Sequence, residues 1–266
     1  MVNIADLAIT SLETVQVYDI QTGAYKFTLD ELQSTTIAQN EEETEITGKR
    51  GRRITSLKRN KTVTISGTNG LVSAGLLEVQ TGGSFVHGAS KVAWVDYVTA
   101  SAAATAATTY KAVGTAGSEI KGLFEQNADG TLGTEYTQAS AVAAGKFTYS
   151  PSTKAIAFNT GEVPQGTKLV IFYDRSITAD TLDCNIEEYA AKAKVYIDAL
   201  AEDKCGNVYR VQIYIPKADF VGNFSLEFGD NQTVHDFEIN ALAGGCGDDA
   251  DLFKITIFSG SAADAV

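Results

Sequence analysis

The feature that most constrains the fold is a recurring short run in which apolar and polar residues alternate or Val, Ile, Tyr and Phe crowd together. The runs are TVQVYDI, AYKFTLD, KTVTISG, VAWVDYV, GKFTYSP, KAIAFN, TKLVIFYD, NVYRVQIYI, FSLEFG, HDFEIN and FKITIF. A period of two puts alternate side chains on one face of an extended chain, and these residue types suit a pleated, half-buried surface. Turn residues separate the runs: QTG at 21–23, Asn69-Gly70, Asp129-Gly130, KCGN at 204–207 and GDN at 229–231. Each tolerates positive φ. Pro151, Pro164 and Pro216 are expected at strand ends or turns, where a missing donor costs little. The expectation is a mainly antiparallel β protein.

Two segments depart from this pattern. TNGLVSAGLLEVQTGG, residues 68–83, places Val72, Leu76 and Val79 on one helical face, with Thr68 or Asn69 as the cap and Gly82 beyond the last turn. One amphipathic helix packed on a sheet is expected there. IEEYAAKAKVYIDAL, residues 186–200, fits both periods: Ile186, Ala190, Ala193 and Ile197 follow helical spacing, whereas Ala193, Val195, Ile197, Ala199 and Ala201 alternate. A strand from Lys192 is the reading adopted, with a helix as the alternative.

Composition shifts near Ala89 and near Ser176. Residues 91–173 are rich in Ala, Thr, Gly and Ser yet still carry about six short strand signals. Residues 89–176 therefore read as a small, outward-facing β domain inserted into a discontinuous parent of residues 1–88 and 177–266, since loops between strands accept insertions at low cost.

With 44% hydrophobic and 20% charged residues, a chain of 266 can bury one large core or two smaller ones without staples. Cys184, Cys205 and Cys246 are odd in number and 21 and 41 residues apart, which fits reduced thiols better than a disulfide framework or a zinc site. No secretory signal, and no apolar run near the roughly 20 residues of a membrane span, is expected.

A net charge of -12 argues against a general nucleic-acid binder. Against that background AQNEEETEITGKRGRRITSLKRNKTVTI, residues 38–65, stands out. Glu41, Glu42, Glu43 and Glu45 lie before Gly48; Lys49, Arg50, Arg52, Arg53, Lys58, Arg59 and Lys61 lie after it. Charge sorted this sharply marks a surface that meets a partner, and with so few apolar anchors residues 41–59 are expected to be a mobile loop before they do.

Signals for chemistry are weak. His87 in SFVHGAS and His235 in TVHDFEI have no serine elbow, paired histidine or carboxylate arrangement that demands catalysis. GGCGDDADLF, residues 244–253, offers Asp248, Asp249 and Asp251 but lacks the alternating ligands and closing glutamate of a calcium loop. No enzyme, no cofactor and no metal is expected.

The run AKVYIDALAEDKCGNVYRVQIYIPKADFVGNFSLEFGDNQTVHDFEINAL resembles the closing half of phage major tail tube proteins, and KTVTISGTNGLVSAGLLEVQTG is similar to their first half. NADGTLGTEYTQ and KLVIFYD resemble segments of the inserted region in larger members. The resemblance implies a β-sandwich or barrel with a flanking helix, assembling as homomeric, usually hexameric, rings stacked into a hollow tube through which DNA passes during ejection. It implies as partners the chain itself and other tail proteins (tape measure, terminator, baseplate or tip), transient non-specific DNA, no membrane, and a place in the virion tail after synthesis in the host cytoplasm. Under it, the charged segment becomes the inter-ring assembly loop. The acidic balance suits a lumen that repels phosphate, and an insert of this size tilts toward a non-contractile tail. The alternative is a carbohydrate-binding or adhesive β-sandwich module, for which Trp94, Tyr97 and Tyr110 would supply the aromatics.

Overall fold

The computed structural model describes residues 6–226, 234–243 and 251–259. In chain order the strands are β1 Leu7–Asp19, β2 Tyr25–Leu29, β3 Leu32–Thr47 and β4 Arg53–Asn69. The helix α1 Ala74–Thr81 follows, then β5 Phe85–Thr99, β6 Thr105–Ala107, β7 Ile120–Gln126, β8 Leu132–Gln138, β9 Lys146–Ser150 and β10 Ala155–Phe158. The chain continues with β11 Lys168–Leu182, β12 Lys192–Asp203, β13 Val208–Phe220, β14 His235–Ala241 and β15 Lys254–Ser259. It divides into two compact units, Met1–Phe85 with Leu182–Val266, and Val86–Thr181.

The first unit is one antiparallel sheet in the order β2-β1-β12-β13-β14-β4-β3, with β15 also on β13. Its two end strands, β2 and β3, are separated in sequence only by Asp30 and Glu31. Three residue steps reach at most about 11 Å, whereas seven flat strands would put the edges about 29 Å apart. The sheet must therefore curl into an open barrel. Its inner face carries Val15, Val17, Leu29, Ile65, Val195, Ile197, Ile215 and Ile239, each no more than 1% exposed. Alternation does this directly: β12 reads buried at Ala193, Val195, Ile197, Ala199 and Ala201 and half-buried between them. Burying each such Val or Ile is worth about 1.5–3 kcal/mol.

The helix α1 closes this core with Leu76 and Val79. Its cap differs from the expected Thr68 or Asn69. The strand β4 runs on through Asn69, and the hydroxyl of Ser73 accepts the Leu76 amide at 3.3 Å. Val72 consequently lies before the helix and is exposed. Gly82 ends the helix at φ +79 and returns its amide to the Glu78 carbonyl. The strand expected from Lys192 is there, so alternation wins over the helical spacing. Pro216 is inside β13, not at its end, and sits where β13 changes partner: Tyr209 to Tyr214 pair with β15, Ala218 to Phe220 with β14. A proline has no ladder bond to lose at such a break. Of the expected run FSLEFG, Leu226 makes a single bridge to His235 and the later residues lie outside the described ones, as does the GDN turn.

The second unit is a seven-stranded sheet, β5-β11-β7-β8-β9-β10-β6, mixed because β8 and β9 run parallel. Leu123, Phe147, Ile156, Leu169, Ile171 and Tyr173 fill a core of its own. Under it lies a polar knot: Asp96, 5% exposed, accepts from the Tyr173 hydroxyl (2.7 Å), the Thr109 amide (2.6 Å) and Trp94 Nε1 (2.9 Å).

Candidate functional site: a charge-sorted hairpin

The charged stretch is not the expected loop. It is the outer part of a β-hairpin in which β3 and β4 pair from Leu32 opposite Asn69 to Thr47 opposite Arg53. Only Val63 to Asn69 of β4 also pair with β14. Residues 53–62 have β3 as their sole ladder partner among the described residues, so about 33 Å of two-stranded ribbon stands clear of the sheet. Nothing in it is buried: burial begins at Val63.

The sorting of charge is explained by this pairing, because one arm is acidic and the other basic. Glu43 lies opposite Lys58 and Glu42 opposite Arg59. Arg53 bridges Glu43 and, at 3.1 Å, Glu45; Lys58 meets Glu41 at 2.5 Å; Asn60 donates to Glu42 at 2.7 Å. Hydrogen bonding from Ser56, then the charges of Arg53 and Lys58, hold the Glu43 carboxyl below its ordinary range, and the bond to Glu41 raises Lys58. These exposed pairs set register more than they add stability. Asn60, at φ 49, forms the bulge opposite Glu41, and the tip turns through Arg50 at φ 69 and Gly51 at φ 70.

Two things are left over. Lys49, Arg50, Arg52, Arg59 and Lys61 make no ion pair among the described residues. The other face of the ribbon, running from the Glu42–Arg59 pair through Thr44–Leu57 to Ile46–Thr55, leaves Ile46 and Leu57 exposed, and Ile54 folds over Gly48. The segment holds four of the 33 carboxylates and seven of the 21 basic residues, so it carries +3 while the rest of the chain carries -15. Ser56, Asn60 and the apolar trio Ile46, Ile54 and Leu57 were not among the residues expected to matter. No apolar alternation in the sequence marks them; they stand out only as the apolar residues of a charged stretch.

The remaining candidates supply no reaction centre. His235 is fully buried: its Nδ1 accepts the Ser73 amide at 3.4 Å, Nε2 faces Gln80 Oε1 at 2.8 Å, and burial lowers its pKa. It ties β14 to α1. His87 pairs with Asp180 at 2.7 Å on an exposed surface. Trp94 and Tyr110 turn their rings to Arg175, whose guanidinium carbon is 4.2 and 3.8 Å from the two centroids, so both are engaged within the chain. Asp248 and Asp249 lie outside the described residues, and among those described no cluster of His, Cys, Asp and Glu has a metal-binding arrangement. No described helix is long and apolar enough to cross a membrane.

A search of curated proteins returns no match. An antiparallel barrel with a flanking helix is the architecture that the tail-tube resemblance implied; the ribbon stands where a loop was expected. Residues 7–255 match the YomU/Tube protein family, and the chain belongs to this family of phage tail tube proteins.

Proposed function

We propose that this chain is a structural subunit that stacks as homomeric, hexameric rings into the tail tube, the conduit for DNA during ejection, with no catalytic role. The observation that carries the reading is the ribbon itself. A polypeptide gains nothing within its own fold by extending about 33 Å of unburied two-stranded sheet, and the cations left at its tip are suited to a surface on another copy. The rest of the chain, at -15, supplies such a surface on each neighbour and keeps phosphate from sticking to the tube wall. The unit Val86–Thr181 closes its own core and projects outward as decoration, an arrangement that favours a non-contractile tail. Tape measure, terminator and tip proteins cap and fill the tube in the virion, and synthesis takes place in the host cytoplasm.

Purified protein at low salt should form tubes or ring stacks in negative-stain images, and these should shorten as ionic strength rises. Replacing Lys49, Arg50, Arg52 and Arg59 by Glu should leave a folded monomer that does not polymerise. A wild-type protein that stays monomeric at high concentration and low salt sinks the reading. Because Glu41, Glu43 and Glu45 are already bound to Lys58 and Arg53, reversing the glutamates in the same chain should not rescue the variant.

A further inference from the structure

The surface that receives the tip can be named. Among the described large apolar side chains Ile186 and Tyr189 are the most exposed, at 90% and 81%. Both lie in residues 183–189 of the connection from β11 to β12, together with Asp183, Glu187 and Glu188 and no basic residue. The connection is held in place. Asn185 accepts the amides of Glu187 (3.1 Å) and Glu188 (3.2 Å), and the Ala191 amide donates to the Val79 carbonyl of α1 at 2.8 Å. Tyr189 backbone packs so closely on Gly82 that no side chain fits there. The patch therefore includes the C-terminal end of α1, where the helix dipole is negative and the last turn has no basic residue.

This patch is acidic around an apolar centre. The ribbon tip is the converse: Lys49, Arg50 and Arg52 beside Ile46 and Ile54, with Leu57 a little farther along β4 and Ile54 69% exposed. The tip precedes β4 and α1 follows it, so they stand at opposite ends of a strand of 17 residues, about 55 Å long. A contact between such ends is heterologous and repeats from copy to copy. Tip against tip would oppose cation to cation. We infer that the basic, apolar ribbon tip of one copy seats on the acidic, apolar patch of residues 183–189 and the C-terminal end of α1 of a second copy, so that tube growth is head to tail. This rests on the assembly reading above and adds the partner surface.

The test is a charge swap on the full chain. A tip variant (Lys49→Glu, Arg50→Glu, Arg52→Glu) and a patch variant (Asp183→Lys, Glu187→Lys, Glu188→Lys) should each raise the critical concentration for polymerisation about a hundredfold or more, the factor expected when like charges face each other. All six substitutions in one chain should restore polymers. An equimolar mixture of the two variants should also polymerise, as an alternating copolymer, because each tip then meets an opposite patch. Circular dichroism confirms that each variant is folded; the substituted side chains are all exposed. A folded patch variant that polymerises like wild type, or a six-fold variant and a mixture that both stay monomeric, overturns the seating while leaving the assembly reading to stand on the wild-type tubes. Absence of wild-type polymer at low salt overturns both.

Discussion

Removing one oxygen, Tyr173→Phe, should unfold the second unit far more readily while leaving its shape intact. The ring of Tyr173 is 1% exposed, its hydroxyl donates to Asp96 Oδ2 at 2.7 Å, and it accepts the Tyr110 amide at 3.1 Å. Phe preserves the packing and creates no cavity larger than a hydroxyl, so the effect is polar. A hydrogen bond to a carboxylate contributes about 1.5–3 kcal/mol, and leaving the part-buried Tyr110 amide without its acceptor costs toward the low end of about 1–3 kcal/mol; shared losses put the net near 2–4 kcal/mol. Asp96 retains Trp94 and Thr109 as donors, which keeps the cost from being larger. The single tryptophan, Trp94, touches this knot, so its fluorescence reports the unit selectively during urea unfolding. With a slope of about 1.5 kcal/mol per molar urea, the midpoint should fall by about 1.3–2.7 M. Tyr97→Phe, at a residue 71% exposed, serves as the control and should shift it negligibly. If Tyr173→Phe moves the midpoint no further than the control does, the hydroxyl is not part of a water-excluded network and the reasoning fails.

Burial keeps the His235 pKa below its ordinary 6.5, so the unfolded chain takes up a proton that the folded chain refuses. Stability should be complete above about pH 6.5 and decline as pH falls below it, by at most about 1.4 kcal/mol per pH unit; a urea titration at pH 7.5 and 5.5 in which His235→Asn keeps the same decline would refute this. Gly67→Ala should cost about 2–4 kcal/mol, because a Cβ there would lie 2.6 Å from both the Phe237 ring and the Ser34 carbonyl; an unchanged melting temperature would count against the packing described. Replacing Val86–Thr181 by a short Gly/Ser linker should leave tubes that form and are thinner in projection; a folded deletion variant without tubes would place that unit in the wall. Amides of residues 40–62 should exchange orders of magnitude faster than those of β12 and β13 in the monomer and become protected in the polymer, read by hydrogen exchange; equal protection in both states would mean that the ribbon is not what joins the copies.

Most of the sheet was legible because a period of two, as in KAKVYIDALA, has only one solution when one face must be buried. The charged hairpin was misread as a loop for a physical reason. Its strands bury nothing, so no apolar alternation marks them, and order there comes from cross-strand partners such as Glu43 with Arg53 that are distant from the usual sequence signals. The helix cap was missed because Asn69-Gly70 looks like a turn, while Asn69 in fact completes β4 and Ser73 does the capping. Pro216 was misplaced because a proline reads as a strand end, and only the tertiary pairing reveals that β13 exchanges one neighbour for another beside it. Ile186 to Tyr189 of the patch lay in a segment read for its periodicity, and the exposure of the patch becomes evident only in the packed structure.

The pairing of β1 with β12 sets the order of events during synthesis. Thr14 finds its partner in Asp198, 184 residues later, and at about 5–20 residues per second the first strand waits roughly 10–40 s on the ribosome. Meanwhile Val86–Thr181 is contiguous in sequence and can complete its core while the first unit still lacks four strands. The β3–β4 ribbon needs only local chain and, although two strands alone are marginal in water, can sample its tip before the barrel exists. The patch it seats on stays unformed until residues 183–189 emerge and lock against α1. A nascent chain thus presents a tip with no matching patch of its own, and growth from subunit to subunit becomes available only after residue 189 has been made.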